Sequence, residues 1–473
     1  VSRVLVLGGS RSGIGAATAL AALKLNVTLS DRRSSDSLVG VEAALAAGVG
    51  FMLEADLGKA WPQPDLVIKS PGIPGEAAPV VMARERGVPV WSELELAYAL
   101  IPNPFNAITG TNGKTTTTAL LGHLFQTAGR PVRVLGNIGV AVTSVAGIAG
   151  PEEELVVEVS SFQLEDIDRF RPVVGVFLNL TPDHLDRHGS MERYLACKAN
   201  LFANQGPEEV AVLNLADQAV AAVGRSLAAR GDGPRVWYFS LRPPASYPSP
   251  GQAVRQDQGE SLRSWVEDGY LHLDGRRLLP VGDIQLPGPH NLENCLAAAT
   301  AAVARGLDRT AIAEGLRTFP GVAHRLERAG TVAGVTYVND SKATNVEATL
   351  TALNAYPERT HLILGGRDKA SDYRPIARRC ADGCRAVYLI GEAAPLIAEA
   401  FARVRDEEGL SGLPPVHSCG DLERAVQCAA GAALPGDVVL LAPACASFDQ
   451  YQDFERRGEH FRSLVADLAG RAS

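Results

Sequence analysis

No apolar run in these 473 residues approaches the roughly 20 that a membrane helix needs, and no charged-then-apolar segment opens the chain. Nor is there a block of Lys and Arg. With 45 basic against 53 acidic residues the net charge is −8, which argues against a non-specific nucleic-acid binder and leaves any anionic ligand to local clusters. Cysteine is scarce. The seven present, an odd number without framework spacing, fit a reducing cytoplasm rather than a disulfide scaffold. Cys380, Cys384, His417 and Cys419 are irregularly spaced for zinc ligands, so small buried thiols are the preferred reading. No repeat of fixed period and no low-complexity tract is present. What remains is the composition of a soluble globular protein, long enough for roughly two to four domains. Arg3–Leu7 already reads as a core strand.

Strand and helix patterns alternate in three blocks, which predicts an α/β protein with parallel sheets. In the first, Val4–Leu7 leads into Gly8-Gly9-Ser10-Arg11-Ser12-Gly13 and an Ala-rich helix to about Lys24. Val27–Leu29 ends at Asp31, and Leu66–Ile68 runs into Ser70-Pro71-Gly72. The block closes near Trp91, before a short helix at Glu93–Leu100 and a Pro-rich linker, Ile101–Pro104. The second block begins at Phe105. Leu155–Val159 and Val173–Leu178 are β-branched runs suited to strands buried on both faces. Between about Gly231 and Leu279 two Asp-Gly turns, at 268–269 and 274–275, predict peripheral hairpins. The third block starts near Gly321, with strands at Val335–Val338, His361–Leu364, Ala386–Ile390 and Val438–Leu441.

The strongest chemical signal is Gly110-Thr111-Asn112-Gly113-Lys114-Thr115-Thr116, between an apolar strand and a helix. Glycines let backbone N–H groups cradle phosphate oxygens, and the helix that follows presents its positive end to the same anion. Lys114 then reaches the terminal phosphates and the Thr115 hydroxyl suits Mg²⁺. The full pattern has a further glycine where Ile108 stands, so the match is partial.

Other polar groups gather at strand ends, where open α/β sheets bind ligands. Gly8–Gly13 sits where a dinucleotide fingerprint would, with Ser10 in place of its middle glycine. A UDP-type pyrophosphate fits this helix start as well as NAD does, and Asp31 is placed for a ribose or uracil-side hydroxyl or for a structural turn. Glu158 ends the central strand, where a buried carboxylate is costly unless paired or metal-bound. Asn179–His188 packs two His, two Asp and an Arg onto the next loop: a metal-binding loop or a polar surface loop. Lys198 alone reads as an ordinary helical lysine. His290-Asn291-Leu292-Glu293-Asn294 opens a helix, as caps or as adenine and ribose contacts. Arg325, Lys342 and Lys369 recur as cations at loops of the third block, as an anionic transition state and an acidic amine substrate require.

In this order the motifs resemble those of the Mur ligase family, the ATP-dependent amino-acid-adding enzymes of peptidoglycan synthesis. The resemblance runs through the phosphate loop, Gly136-Asn137-Ile138-Gly139, Glu158–Gln163, Asp183–Asp186, His290-Asn291, His324-Arg325 and Asn339–Asn345. Pro443–Gln450 with Phe454 is similar to the branch that adds D-glutamate to UDP-N-acetylmuramoyl-L-alanine, and the C-terminal motif of diaminopimelate- or lysine-adding members is not found. The resemblance implies three domains: a Rossmann-like UDP-binding domain at 1–92, a central P-loop ATPase-type domain at 93–320, and a Rossmann-like amino-acid domain at 321–473. It implies ATP and two Mg²⁺, with Thr115 and Glu158 at the first metal and Glu158, His184 and a CO₂-carbamylated Lys198 at the second. ATP would meet Gly110–Thr116 (Gly110, Thr111, Asn112, Gly113, Lys114, Thr115 and Thr116), His290, Asn291, Asn294, Arg325 and Asp340. The UDP-sugar would meet Gly8, Ser12, Gly13, Asp31, Arg32, Arg33, Ser70, Gly72 and Asn137. D-Glutamate would meet Lys342, Thr344, Lys369, Ser447 and Phe454. A monomer in the cytoplasm is expected, with small-molecule partners only. Ser10, and Ala442 where Ser is expected, depart from the family pattern.

Two alternatives explain less. A folylpolyglutamate-synthetase-like ligase shares the phosphate loop but needs no UDP-binding first block. An NAD-dependent oxidoreductase built on Gly8–Gly13 leaves Lys114 and Glu158 without a role, and a nucleotide switch without turnover leaves the third block idle.

Overall fold

The structure is a computed structural model that describes residues 1–136, 140–242 and 260–472. The first sheet has five parallel strands in the order Gly50–Leu53, Asn26–Asp31, Arg3–Leu7, Leu66–Lys69 and Val90–Ser92. Chain order reverses between Arg3–Leu7 and Leu66–Lys69, so a crevice for ligands opens above their carboxyl ends. Gly8–Gly13 and Ser70–Gly72 occupy that position. The helix after the first strand, Arg11–Ala22, ends slightly earlier than its Ala-rich pattern predicts, because Lys24 takes a positive φ of 61°. Two strands, Gly50–Leu53 and Val90–Ser92, are too short, at four and three residues, to show a period in the sequence.

The central sheet runs Arg276–Pro280, Tyr270–Leu273, Glu260–Glu267, Arg235–Ser240, Val210–Asn214, Val174–Phe177, Phe105–Thr109, Glu154–Glu158 and Val132–Gly136. Phe105–Thr109 lies between Val174–Phe177 and Glu154–Glu158, parallel to both, and all three are buried along their whole length. Their side chains on one face join a core that includes Phe105, Leu155, Phe170, Phe177 and Phe202. The region after Gly231 is only partly hairpin. Arg235–Ser240 and Glu260–Glu267 extend the sheet in parallel, since Val236 and Phe239 are apolar on both faces. The hairpins come after Glu267, and Asp268, Gly269, Asp274 and Gly275 all have positive φ, as tight hairpin turns require.

The third sheet is ordered Glu327–Val332, Val335–Asn339, Val438–Leu441, Thr360–Gly365, Cys384–Ile390 and Val416–Gly420. It is parallel except for its first pair. The chain forms two compact units. One contains residues 1–285 and 290–319 with the first two sheets, and the other contains 286–289 and 320–473 with the third.

Candidate active site

The phosphate-loop segment is built as its residues dictate. Gly110 and Gly113 take φ of 153° and 82°. A Cβ on Gly113 would stand 2.3 Å from Asn294 Oδ1, so both the left-handed backbone and the close approach require glycine. Helix Lys114–Thr127 follows with no side-chain cap, which leaves its first-turn amides to an anion. Asn179, just beyond Val174–Phe177, holds the loop from the side. Its Oδ1 accepts from Asn112 N (2.8 Å), its carbonyl accepts from Thr111 N (3.0 Å), and its Nδ2 donates to Asn112 O (3.2 Å). Lys114 Nζ lies over the loop, donating to the carbonyls of Thr111 (2.8 Å) and Gly110 (3.1 Å).

Thr115 Oγ1 donates to Glu158 Oε2 at 2.7 Å, which joins two hard oxygen donors at the loop's edge. That pair suits a divalent cation that prefers oxygen. Lys198 is not the ordinary helical lysine its sequence context predicts. Its side chain is 1% exposed, Nζ donates to Gly110 O at 2.7 Å, and it stands 4.6 Å over the Tyr194 ring. Burial and the charge of Lys114 lower its pKa well below that of a free lysine, while Asp183 and Glu158 act to raise it. As an ammonium, Lys198 is no metal ligand. His184 is exposed, in left-handed backbone (φ 51°), with Nε2 3.5 Å from Asp183 Oδ2. Among the described residues no three His, Cys, Asp or Glu side chains converge as a ready metal cluster. His188, four residues on, is buried, bonded to Ser161 Oγ (3.0 Å) and stacked on Phe162.

Asn291 and Asn294 do more than cap. Both are buried in helix Pro289–Ala304, Asn294 Oδ1 accepts from Thr117 Oγ1 (3.2 Å), and its Nδ2 donates to Asn291 Oδ1 (3.1 Å). Thr116 lies in the first turn of the loop helix, and His290, half-buried beside Asn291, has its pKa lowered by burial.

In the first sheet Gly13 packs so closely that a Cβ would meet Gly8 O at 1.8 Å, and Ser70 Oγ donates to the same carbonyl at 3.1 Å. Ser12 is half-buried one residue earlier on that helix, and Gly72 is exposed. Asp31 reaches across to accept from Gly9 N (2.7 Å) and pairs with Arg33 Nε (3.1 Å). Burial acts to raise its pKa, but the bonds from Arg33 and Gly9 outweigh that and hold it low. Exposed Arg32 pairs with Glu54. Asn137 lies outside the described residues.

In the second unit, His324 takes φ 63° and its Nδ1 bonds Asn339 Nδ2 at 3.0 Å. The neighbouring charge of Arg325 acts on Asp340, whose Oδ1 accepts from Leu326 N (3.3 Å); burial nevertheless pushes Asp340 up to about 7. Lys342 Nζ stands 3.8 Å over the Phe454 ring, and Lys369 Nζ donates to the Thr344 carbonyl at 3.1 Å. Ser447 is buried at the end of the Pro443–Ser447 run. Cys380 and Cys419 are buried thiols, Cys384 is half-buried, and His417 is exposed.

Tyr194 and Lys69 were given no role from sequence, and Asn179 was read only as the first residue of the Asn179–His188 loop. Asn179 and Tyr194 hold the phosphate loop and Lys198. Lys69, with no side-chain exposure, pairs with Glu165 (2.6 Å) and Asp166 (2.5 Å), while Arg187, beside His184 in the chain, donates to Ile73 O (2.9 Å). The signal for Lys69 was a lone cation ending the apolar run Leu66-Val67-Ile68.

The fold and these loops define a multi-domain α/β protein with a phosphate-loop motif at the carboxyl end of an interior parallel strand. Residues 108–302 match the Mur ligase middle domain, and 324–445 match the Mur ligase, glutamate ligase domain. A UDP-N-acetylmuramoylalanine--D-glutamate ligase of Pelotomaculum thermopropionicum is 43% identical, covering 98% of each chain. One of Acidobacterium capsulatum is 41% identical, covering 100% of this chain and 97% of its own. The chain belongs to the Mur ligase family. A solved UDP-N-acetylmuramate-alanine ligase of Thermotoga maritima shares the fold, with TM-score 0.57 at 18% identity over 98% of this chain and 99% of that one. So does a pseudomurein peptide ligase type C of Methanothermus fervidus, with TM-score 0.55 at 18% identity over 99% and 100%.

Proposed function

We propose that this enzyme joins D-glutamate to UDP-N-acetylmuramoyl-L-alanine at the expense of ATP, a cytoplasmic step of peptidoglycan synthesis. The observation that carries the reading is full-length identity of 43% to a ligase of that name. The γ-phosphoryl group passes to a carboxylate oxygen of the sugar nucleotide and ADP leaves. The amine of D-glutamate then attacks the acyl carbon, loses a proton and expels phosphate. A carboxylate oxygen is a poor leaving group and phosphate a good one, so the enzyme's work is positioning and charge neutralisation.

Lys114 and the amides of Gly110–Thr116 hold the ATP phosphates. His290, Asn291, Asn294, Arg325 and Asp340 serve the rest of the nucleotide. Gly8, Ser12, Gly13, Asp31, Arg32, Arg33, Ser70, Gly72 and Asn137 hold the UDP-sugar. Lys342, Thr344, Lys369, Ser447 and Phe454 hold D-glutamate, with Lys369 facing a carboxylate. Residues 1–92, 93–320 and 321–473 divide these tasks in a monomer. Thr115, Glu158, His184 and Lys198 hold two Mg²⁺, which would neutralise charge on the transferring phosphoryl group. Lys198 contributes as a carbamate. Its burial and depressed pKa supply a neutral amine, which adds to CO₂ with loss of one proton and becomes an anionic oxygen donor.

Phosphate release with ATP, Mg²⁺ and UDP-N-acetylmuramoyl-L-alanine tests the reading, with D-glutamate, L-glutamate, L-lysine and meso-diaminopimelate offered in turn. Release with D-glutamate alone is expected. Release with a different amine moves the specificity, and none with any of them removes the function. Carbon-13 NMR in labelled bicarbonate checks Lys198, and a free amine in the active enzyme would remove the carbamate.

A further inference from the structure

The largest fully buried side chain among the described residues is Arg457, 1% exposed, on the helix that begins at Phe454. A guanidinium is expected to be buried only with a carboxylate or a full set of acceptors. Among the described residues none of its hydrogen bonds goes to a carboxylate. Nε donates to Ser341 Oγ (3.0 Å), and Nη2 donates to the carbonyls of Ser341 (2.9 Å) and Cys445 (3.2 Å). Nη1 makes longer contacts of 3.5 Å with the carbonyls of Gly365 and Ala446. Burial lowers its pKa to about 10, so the group stays charged at neutral pH.

The partners fall on three separate loops. Ser341 precedes Lys342 and Thr344. Gly365 opens the loop that ends at Lys369. Cys445 and Ala446 precede Ser447. Phe454 lies one turn earlier on Arg457's own helix. The packing leaves no slack: a Cβ on Gly366 would stand 2.2 Å from Ala446 O and 3.1 Å from Arg457 Nη1. Ser341 Oγ also donates to Phe454 O at 2.8 Å, which ties the first loop to the helix. A planar fork can address several carbonyls in fixed directions, which a lysine ammonium cannot do.

We infer that Arg457 is a positioning residue for the amino-acid half of the reaction, a hub that sets the spacing of the three loops and of Phe454 around the incoming amino acid. The inference rests on the proposed D-glutamate contacts and adds a residue that touches none of the substrates. Its partners lie beside every proposed amino-acid contact and beside only one proposed ATP contact, Asp340, so its loss should be felt most by the amino acid, less by the nucleotide and not by the UDP-sugar.

The test is steady-state kinetics of the full-length enzyme and its Arg457→Lys and Arg457→Met variants, with KM measured for each substrate and folding checked by circular dichroism. The wild-type enzyme must release phosphate with D-glutamate; failure there removes the functional reading and is distinct from failure of the variants. Arg457→Lys should raise the KM for D-glutamate by about tenfold to a hundredfold, the range that small misplacements produce. The KM for the UDP-sugar should stay within about twofold, the KM for ATP should change less than that for D-glutamate because only Asp340 adjoins the hub, and Arg457→Met should be worse than Lys for D-glutamate. Unchanged D-glutamate KM, or equal change in all three, overturns the inference. An Arg457→Lys chain that does not fold assigns the guanidinium to the fold itself and overturns it too.

Discussion

Gly113 shows how a single position can be fixed twice. Its φ of 82° costs an L side chain about 1–2 kcal/mol, and the added Cβ would also displace the Asn294 amide. Gly113→Ala should therefore lose about 1–3 kcal/mol of stability and bind ATP more weakly. Urea unfolding together with the ATP KM checks this, and wild-type values for both would show that the loop tolerates the side chain. Asp340 makes a prediction about pH. Its carboxyl is raised by burial from 3.8 to about 7, so the folded chain binds its proton more tightly than the unfolded chain. This contribution to stability is complete below the unfolded pKa and is lost as pH rises through about 7. Between pH 5.5 and 8 the wild-type protein should lose on the order of 2 kcal/mol that Asp340→Asn does not. Parallel slopes for the two proteins would place the pKa elsewhere. At this scale the sequence was legible where residue type and position coincide, as at Gly110, Gly113, Lys114 and Thr115. It was silent where meaning depends on burial. Lys198 and Arg457 are one cation among many until the fold removes them from water.

Elements were read well where periodicity was strong. Helix Glu93–Leu100 has the predicted bounds, and Leu66–Ile68 lies within the observed strand Leu66–Lys69. The misreading of Arg235–Ser240 has a simple cause. A run apolar on both faces is the mark of a central parallel strand, but the turn residues downstream suggested hairpins throughout. Joints between elements were not legible, because they pair residues distant in sequence. Glu95 is buried on Glu93–Leu100 and accepts from the backbone amides of Asp168, Arg169 and Phe170, each at 2.9 Å. Lys69, at the end of its strand, joins Glu165 and Asp166, which Arg84 and Arg187 also approach. Lys69→Met should destabilise the first unit, towards the lower end of the about 3–5 kcal/mol typical of breaking a buried pair, because both arginines remain. Adding Asp166→Asn should recover part of the loss, since it removes one of the stranded charges. Denaturant midpoints of the single and double variants measure it. A wild-type midpoint in Lys69→Met would mean that the ion cluster adds nothing net to the joint.

For the whole molecule, the division into two compact units lets the first be followed apart from the second as ligands are added. All four tryptophans, Trp61, Trp91, Trp237 and Trp265, belong to the first unit, so their fluorescence follows that unit alone. Circular dichroism follows both, because each has its own helices and sheet. A ligand bound only by the folded form stabilises it by about 2.7 kcal/mol at a hundredfold excess over its Kd. If Lys114 and its loop bind the nucleotide, ATP with Mg²⁺ should raise the tryptophan melting midpoint. If Lys342, Thr344, Lys369, Ser447 and Phe454 bind the amino acid, D-glutamate alone should leave that midpoint in place and raise the remaining transition in the circular dichroism. The Lys369→Ala variant should lose the second shift and keep the first. A tryptophan midpoint that rises with D-glutamate alone would put the amino acid on the first unit. The three loops around Arg457 would then lose their proposed ligand, although the family and the phosphate loop would stand.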